Sequence, residues 1–193
     1  MLTHKTFLYL SLITALLCMA HGVVVVFIIL YANEKLGYTL LESGFVLSLV
    51  MFSGTVGRIL WGVISDRIYN ARRKPILIII TVLAVVTVVA LSVWDVSWHR
   101  WLLISVFVGL GLSTAGWNSI VLTWIAEITA KSKTATSIGL SSTIGWLGFS
   151  SGPIAFGSII DHYGFFCAWM SLAFFCICAL IFCIFLPESD NRG

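Results

Sequence analysis

Charge is what this sequence has least of. Asp, Glu, Lys and Arg make up 10% of its 193 residues, against about 25% in an ordinary soluble domain. With 60% hydrophobic residues, the chain reads as a polytopic membrane protein. The short alternating segments of a lipid-spanning barrel are missing, which leaves helices. The few basic residues lie between apolar runs and form no stripe, so a nucleic-acid partner is excluded. Five cysteines (Cys18, Cys167, Cys176, Cys178 and Cys183) fall within apolar runs, where a thiol behaves as a small apolar group. None has metal-ligand spacing, so no disulfide framework, metal or cofactor is expected. The first apolar run is too long for a cleavable leader and has no small-residue cleavage site at its end, so it is read as a retained span. The tail, 187–193, is short and polar, and no soluble domain is expected after it.

What is present is a series of long apolar runs. Six transmembrane helices are expected at about 7–31, 39–65, 75–94, 101–126, 135–160 and 164–186, forming a single bundle over 1–193. Each is long enough to cross a hydrocarbon core of ~30 Å at 1.5 Å per residue. Lys5, Arg67, Arg72, Arg73, Lys74, Lys131, Lys133 and Arg192 fall on one side of these spans, and Lys35 and Arg100 on the other. That bias places both termini in the cytoplasm of a cell (inner or plasma) membrane protein. The third span is almost purely Ile, Val, Leu, Ala and Thr and reads as lipid-facing.

The densest charge runs from Arg58, inside the second span, through Asp66-Arg67 to Arg72-Arg73-Lys74-Pro75. Basic residues at a helix end hold a loop in the cytoplasm. They also suit a latch between helices, and both readings stand. Arg58 and Asp66 project from a similar face, ~12 Å apart along the axis. Arg58 either snorkels to the boundary or lines an interior position. His21 lies mid-way along the first span, where a histidine faces protein or water. It either bonds a neighbouring helix or serves substrate or protons. Trp117-Asn118 suits a polar cavity and equally an interhelical hydrogen bond. Glu127 ends the fourth span at the depth of the basic loop, which offers it a partner. Gly148, Gly152 and Gly157 with Pro153 point to close helix packing and a bend. No carboxylate sits at mid-depth. An anionic substrate would favour Arg58 or a protonated His21.

Gly62-x-x-x-Asp66-Arg67 followed by Arg72-Arg73-Lys74 resembles the cytoplasmic signature of the major facilitator superfamily, Gly-x-x-x-Asp-Arg-x-Gly-Arg-Arg/Lys. Here the glycine after Asp-Arg is absent and two extra residues precede the basic pair. The stretch from Ala115-Gly116-Trp117-Asn118 to Ala126-Glu127 is similar to the family's tenth helix. Gly139, Gly148, Gly152-Pro153 and Phe156-Gly157, followed by Asp161-x-x-Gly164, are similar to its eleventh helix and the loop after it. The glycine-proline segment also resembles the fifth-helix signature of the drug-proton antiporters, with Phe156 where that motif has glycine. The resemblance implies half of a twelve-helix fold, the carboxy-terminal six helices. It also implies a latch drawn from Gly62, Asp66, the loop arginines Arg67, Arg72 and Arg73, and Glu127. Arg67 or Arg72 matches the family's relay arginine.

The function this implies is secondary active transport of a small solute by alternating access, with His21, Arg58, Trp117 and Asn118 as substrate or coupling candidates. One copy holds half a cavity. A second six-helix half is therefore expected, as a separate chain or in a homodimer, unless the chain is a truncated product. Two other classes compete. A membrane-embedded substrate-binding subunit of a multi-component importer needs an energising partner and no Asp-Arg latch. An intramembrane serine protease would use Ser150 with His21, because a nucleophile needs its base within hydrogen-bond reach. Pro153 directly after Gly152, and the lack of a histidine in the sixth span, argue against it. No catalytic residue is assigned, and an enzyme is not expected.

Overall fold

The computed structural model of the protein describes residues 2–94 and 98–187, with side chains from Lys5 onward. Arg192, counted above for orientation, lies outside them. The described residues form helices α1 (Leu2–Leu36), α2 (Leu40–Arg67), α3 (Arg73–Ser92), α4 (Arg100–Thr114), α5 (Asn118–Ile128) and α6 (Thr134–Phe185). Five helical stretches among them are long and apolar enough to cross a membrane. One of these comprises α4 and α5 together, interrupted by the turn at 115–117.

Local chemistry sets the helix ends. Gly37 turns left-handed after α1 (φ 68°), a conformation that favours glycine. The next helix opens on a capping box. Thr39 N–H donates to Glu42 Oε2 at 2.8 Å, and Glu42 N–H donates to Thr39 Oγ1 at 3.3 Å. Pro75 falls in the first turn of α3, where backbone N–H groups lack intrahelical partners in any case. Between α2 and α3 the chain turns through Asn70 (φ 50°) and Ala71 (φ 60°). Asparagine tolerates that region, whereas alanine is strained there. This left-handed pair stands where the resemblance leads one to expect a glycine.

α6 holds 52 residues, which at 1.5 Å per residue would reach roughly 78 Å if straight. It is not straight. Gly164 is non-helical (φ 79°, ψ 175°), and the two arms lie oppositely against α1. Gly145 meets Thr14 and Cys18, Gly152 meets Met19 and Gly157 meets Phe27, in ascending order. After Gly164 the order descends: Phe165 and Trp169 pack on Tyr31, and Phe182 packs on Tyr9. The backbone stays helical through Pro153.

Close backbone approach holds the bundle. A Cβ on Gly148 would collide with the Ala15 carbonyl, and one on Gly22 with the Phe149 carbonyl. A second such interface joins α2 to α4, where a Cβ on Gly111 would strike the Val50 carbonyl. Small residues are what allow helices in lipid to approach so closely. Two apolar clusters fill the space between. One surrounds Tyr31, Phe107 and Trp169, and the other Leu10, Leu17, Ile76 and Trp124. Tyr31 satisfies its hydroxyl on the Leu91 carbonyl at 2.7 Å.

α3 corrects the sequence reading. It does not simply face lipid: Ile76, Ile80, Ala84, Val88 and Leu91 are buried. Only the opposite face, with Ile79, Val82 and Val86, is exposed. A helix built almost entirely of apolar residues carries no periodic contrast from which its packed side can be read.

Replacing Gly148 with valine should destabilise the chain by about 1–3 kcal/mol, the usual cost of overpacking. Thermal unfolding in detergent measures it. Gly62→Ala, whose Cβ would meet nothing within 4 Å, should leave that transition in place or raise it slightly.

Candidate functional site

Two polar constellations interrupt the apolar bundle. The first gathers at the end where the α2–α3 loop lies. Arg73, the first residue of α3, has a side chain only 9% exposed. Its Nη1 donates to Asp66 Oδ1 at 2.5 Å and to Ser65 Oγ at 2.9 Å. Its Nη2 donates to Glu127 Oε1 at 2.8 Å, and Nε reaches both Glu127 oxygens at 3.2 and 3.4 Å. One guanidinium thus ties the end of α2, the start of α3 and the end of α5. Next to it, Lys74 Nζ donates to the Leu186 carbonyl at 2.7 Å and holds the end of α6.

Arg73 therefore occupies the place that the resemblance assigned to Arg67 or Arg72. Those two are exposed, and among the described residues neither forms an ion pair. The reason is geometric. Arg67 follows Asp66 on the helix and so points about 100° away from it. Arg72 is the extended residue before α3 (ψ 113°), and its carbonyl accepts a bond from Ser65 Oγ. The left-handed pair at Asn70 and Ala71 absorbs the two extra residues, and Arg73 is the one turned inward. Ser65, fully buried, escaped the sequence reading, because a serine one residue before Asp-Arg carries no signal of its own. Gly62, expected in the same constellation, faces open space instead.

The second constellation lines a cavity of about 220 Å³ between α1, α2, α4–α5 and the first arm of α6. His21, Arg58, Trp117 and Asn118 all lie on its wall. Thr14, Cys18, Ser142, Trp146 and Phe149 also line it and were not singled out from sequence. Thr14, for example, hides its hydroxyl on the Leu10 carbonyl one turn earlier. The helix break at 115–117 forms one side and is stitched to α2. Arg58 Nε donates to the Ala115 carbonyl at 3.2 Å, and Trp61 Nε1 donates to the Leu112 carbonyl at 2.9 Å. Ser119 Oγ returns a bond to the Arg58 carbonyl at 2.9 Å. A break in a helix at membrane depth frees carbonyls that neighbours must satisfy, and these side chains do so. Trp117 is buried, with its indole N–H donated to the Thr114 carbonyl at 2.8 Å. It shapes the wall but has no donor left to offer. His21 lies against the Phe149 ring, and its buried Nδ1 has no partner among the described residues. Ser150 is exposed on α6, and among the described residues no hydrogen bond joins it to His21.

Arg73→Gln should destabilise the chain by about 3 kcal/mol, since it strands Glu127 and removes a nearly buried charge from its partners. Arg67→Gln and Arg72→Gln should each stay within about 0.5 kcal/mol. Chemical unfolding of the three variants in one detergent gives the comparison.

Known proteins agree with the architecture. A crystal structure of an auto-inhibited POT family peptide transporter superposes with a TM-score of 0.81 at 12% identity. The match covers 98% of this chain and 40% of that one, and at this identity it is a likeness of fold. The chain is 29% identical over 160 residues to the inner membrane transport protein YnfM of Escherichia coli (strain K12), covering 82% of this chain and 37% of that protein. It is 28% identical over 144 residues to the probable galactarate/D-glucarate transporter GudP of Bacillus subtilis (strain 168), covering 70% and 30%. It thus spans about a third of the length of the curated relatives it matches. These relatives are transport proteins rather than enzymes. The model of the Major Facilitator Superfamily itself matches residues 10–193. With nearly the whole chain matched and the helices packed as in a solved transporter, this multi-pass membrane protein belongs to the major facilitator superfamily.

Proposed function

We propose that this chain forms one six-helix half of a secondary transporter, in the position of the carboxy-terminal half, and moves a small solute by alternating access. The two arms of α6 each cross the membrane, and α4 with α5 makes one crossing, which gives six crossings with both termini cytoplasmic. The observation that carries the reading is the cavity. Its polar groups come from four helix crossings and lie at membrane depth, where such groups face a water-filled path or protein.

The missing wall is a second six-helix body. α2 supports this, because it has two small faces. One packs on α4 through Gly54 and Gly57. The other carries Gly44, Ser48, Thr55, Arg58 and Gly62, and at both glycines a Cβ would meet open space. Ser48, Thr55 and Arg58 are exposed. Ser48 and Thr55 turn their hydroxyls to the Gly44 and Met51 carbonyls of their own helix, but the Arg58 guanidinium on this outward face is poorly suited to lipid. In the family's alternating access, one half moves against the other around the site. Arg73, Asp66 and Glu127 then form the latch that holds the cytoplasmic end in one conformer. A multi-component importer subunit fits less well, since nothing in such a protein needs this three-helix clamp.

Cys18 gives a native probe of the reading, because it lines the cavity. In a variant with the other four cysteines replaced, a membrane-impermeant thiol reagent reports which side reaches it. Asp66→Asn and Arg73→Gln should raise Cys18 labelling from the side of Lys131 and Lys133 at least several-fold. Equal labelling in all variants would contradict the latch.

A further inference from the structure

We propose that the cavity binds a small organic carboxylate, gripped by the outer edge of the Arg58 guanidinium. The proposal rests on the reading of this cavity as part of a solute path, and adds the class of solute.

The argument starts from charge. A guanidinium is a permanent cation, and Arg58 brings one to this cavity. It lies on the wall of a cavity to which no Asp or Glu contributes among the described residues. The carboxylates at the nearby helix ends, Asp66 and Glu127, are both engaged by Arg73. Arg58 itself forms no ion pair among the described residues. A guanidinium at membrane depth without a counter-ion is costly, and an anionic solute supplies one.

Geometry then gives the grip. The Nε bond to the Ala115 carbonyl holds the guanidinium, and the Ser119 bond to the Arg58 carbonyl holds the backbone beneath it. A guanidinium has five N–H donors, and only the Nε donor is used. The Nη1 and Nη2 donors have no partner among the described residues and make the planar fork that matches a carboxylate with two parallel bonds. Asn118 likewise has no side-chain partner among the described residues, and His21 Nδ1 is unpaired. These two are placed to bond the rest of the solute. Thr14 and Thr114 turn their hydroxyls to the Leu10 and Leu110 carbonyls, Ser142 adds one more hydroxyl, and Leu122, Trp146, Phe149 and the ring of Trp117 give the wall its apolar part.

Carboxylate is favoured over phosphate for the same reason. A phosphate monoester carries about −1.5 to −2 charges at neutral pH. One guanidinium neutralises only one of them, and the rest would sit against aromatic walls at high desolvation cost. The space in this half, about 220 Å³, suits a small molecule.

The test is binding to the 193-residue chain in nanodiscs, read by isothermal titration with gluconate, its neutral counterpart sorbitol, and inorganic phosphate. Gluconate should bind saturably and sorbitol at least tenfold more weakly. Arg58→Gln should weaken gluconate by roughly ten- to hundredfold, the range for a hydrogen bond to a charged partner. Arg58→Lys, which keeps the charge but loses the fork, should fall between. Gluconate and sorbitol binding alike, with Arg58→Gln indifferent, would overturn the anion assignment while the solute path stands. Phosphate binding more tightly than gluconate would overturn the carboxylate assignment. Silence with all three probes would overturn the carboxylate assignment, whereas loss of the latch effect on Cys18 labelling is what would count against the solute path.

Discussion

Apolar helices in a bilayer gain little by hiding from water, because lipid tails are as apolar as their side chains, and so their association depends on how closely backbones approach. In this chain that approach is made by glycine. Gly22 on α1 and Gly148 and Gly152 on α6 bring the two backbones to carbonyl contact, with Gly145 against the Thr14 and Cys18 side chains, and Gly54, Gly57 and Gly111 set α2 as closely against α4 and the turn after it. These two interfaces place four crossings around one space. His21 reaches the cavity because Gly22 lets the Phe149 backbone come against the next turn. Arg58 reaches it because Gly54 and Gly57 set α2 against the break in α4. Packing thus decides which polar side chains share an interior, and the chemistry of the site follows from it.

Two arginines on this framework meet opposite fates. Arg73 is nearly buried and held by Asp66, Ser65 and Glu127. It closes a structural knot, and its removal leaves carboxylates without their cation. Arg58 is tethered through one nitrogen to a backbone carbonyl, and the rest of its fork is unused. The first arrangement suits a contact that is made in one conformer and released in another. The second suits a ligand that comes and goes. Asp66 and Arg58 lie on one helix, ~12 Å apart along its axis, so a tilt of α2 would be felt at both.

Much of this was legible in the sequence, for identifiable reasons. The limits of the apolar runs, the charged stretch from Arg72 to Pro75 and the loop at Gly164 stood out, whereas the capping box of Thr39 and Glu42 was not read from the sequence. His21, Arg58, Trp117 and Asn118 stood out as polar or amphipathic residues in apolar runs, and they do share one cavity. Glu127 was expected to find a partner in the basic loop, and it does. The identity of that partner was not legible, because two left-handed residues, Asn70 and Ala71, rotate the loop and select Arg73. The break at 115–117 was missed, because Ala-Gly-Trp reads as a small patch within a helix until the bonds from Arg58 and Trp61 are seen. The buried face of α3 was missed because its residues are alike all round.

The central claim is that the outer face of α2 belongs against a second six-helix body or water and not against lipid. A spin label at Thr55, in the chain reconstituted into bilayers, measures this directly through its collisions with oxygen and with a water-soluble nickel chelate. A label at Ile184, exposed on the second arm of α6, is the lipid reference. The account predicts that Thr55 shows clearly lower oxygen accessibility than Ile184, with either immobilisation or access by the chelate. Oxygen accessibility at Thr55 equal to that at Ile184, with the chelate excluded, would contradict it.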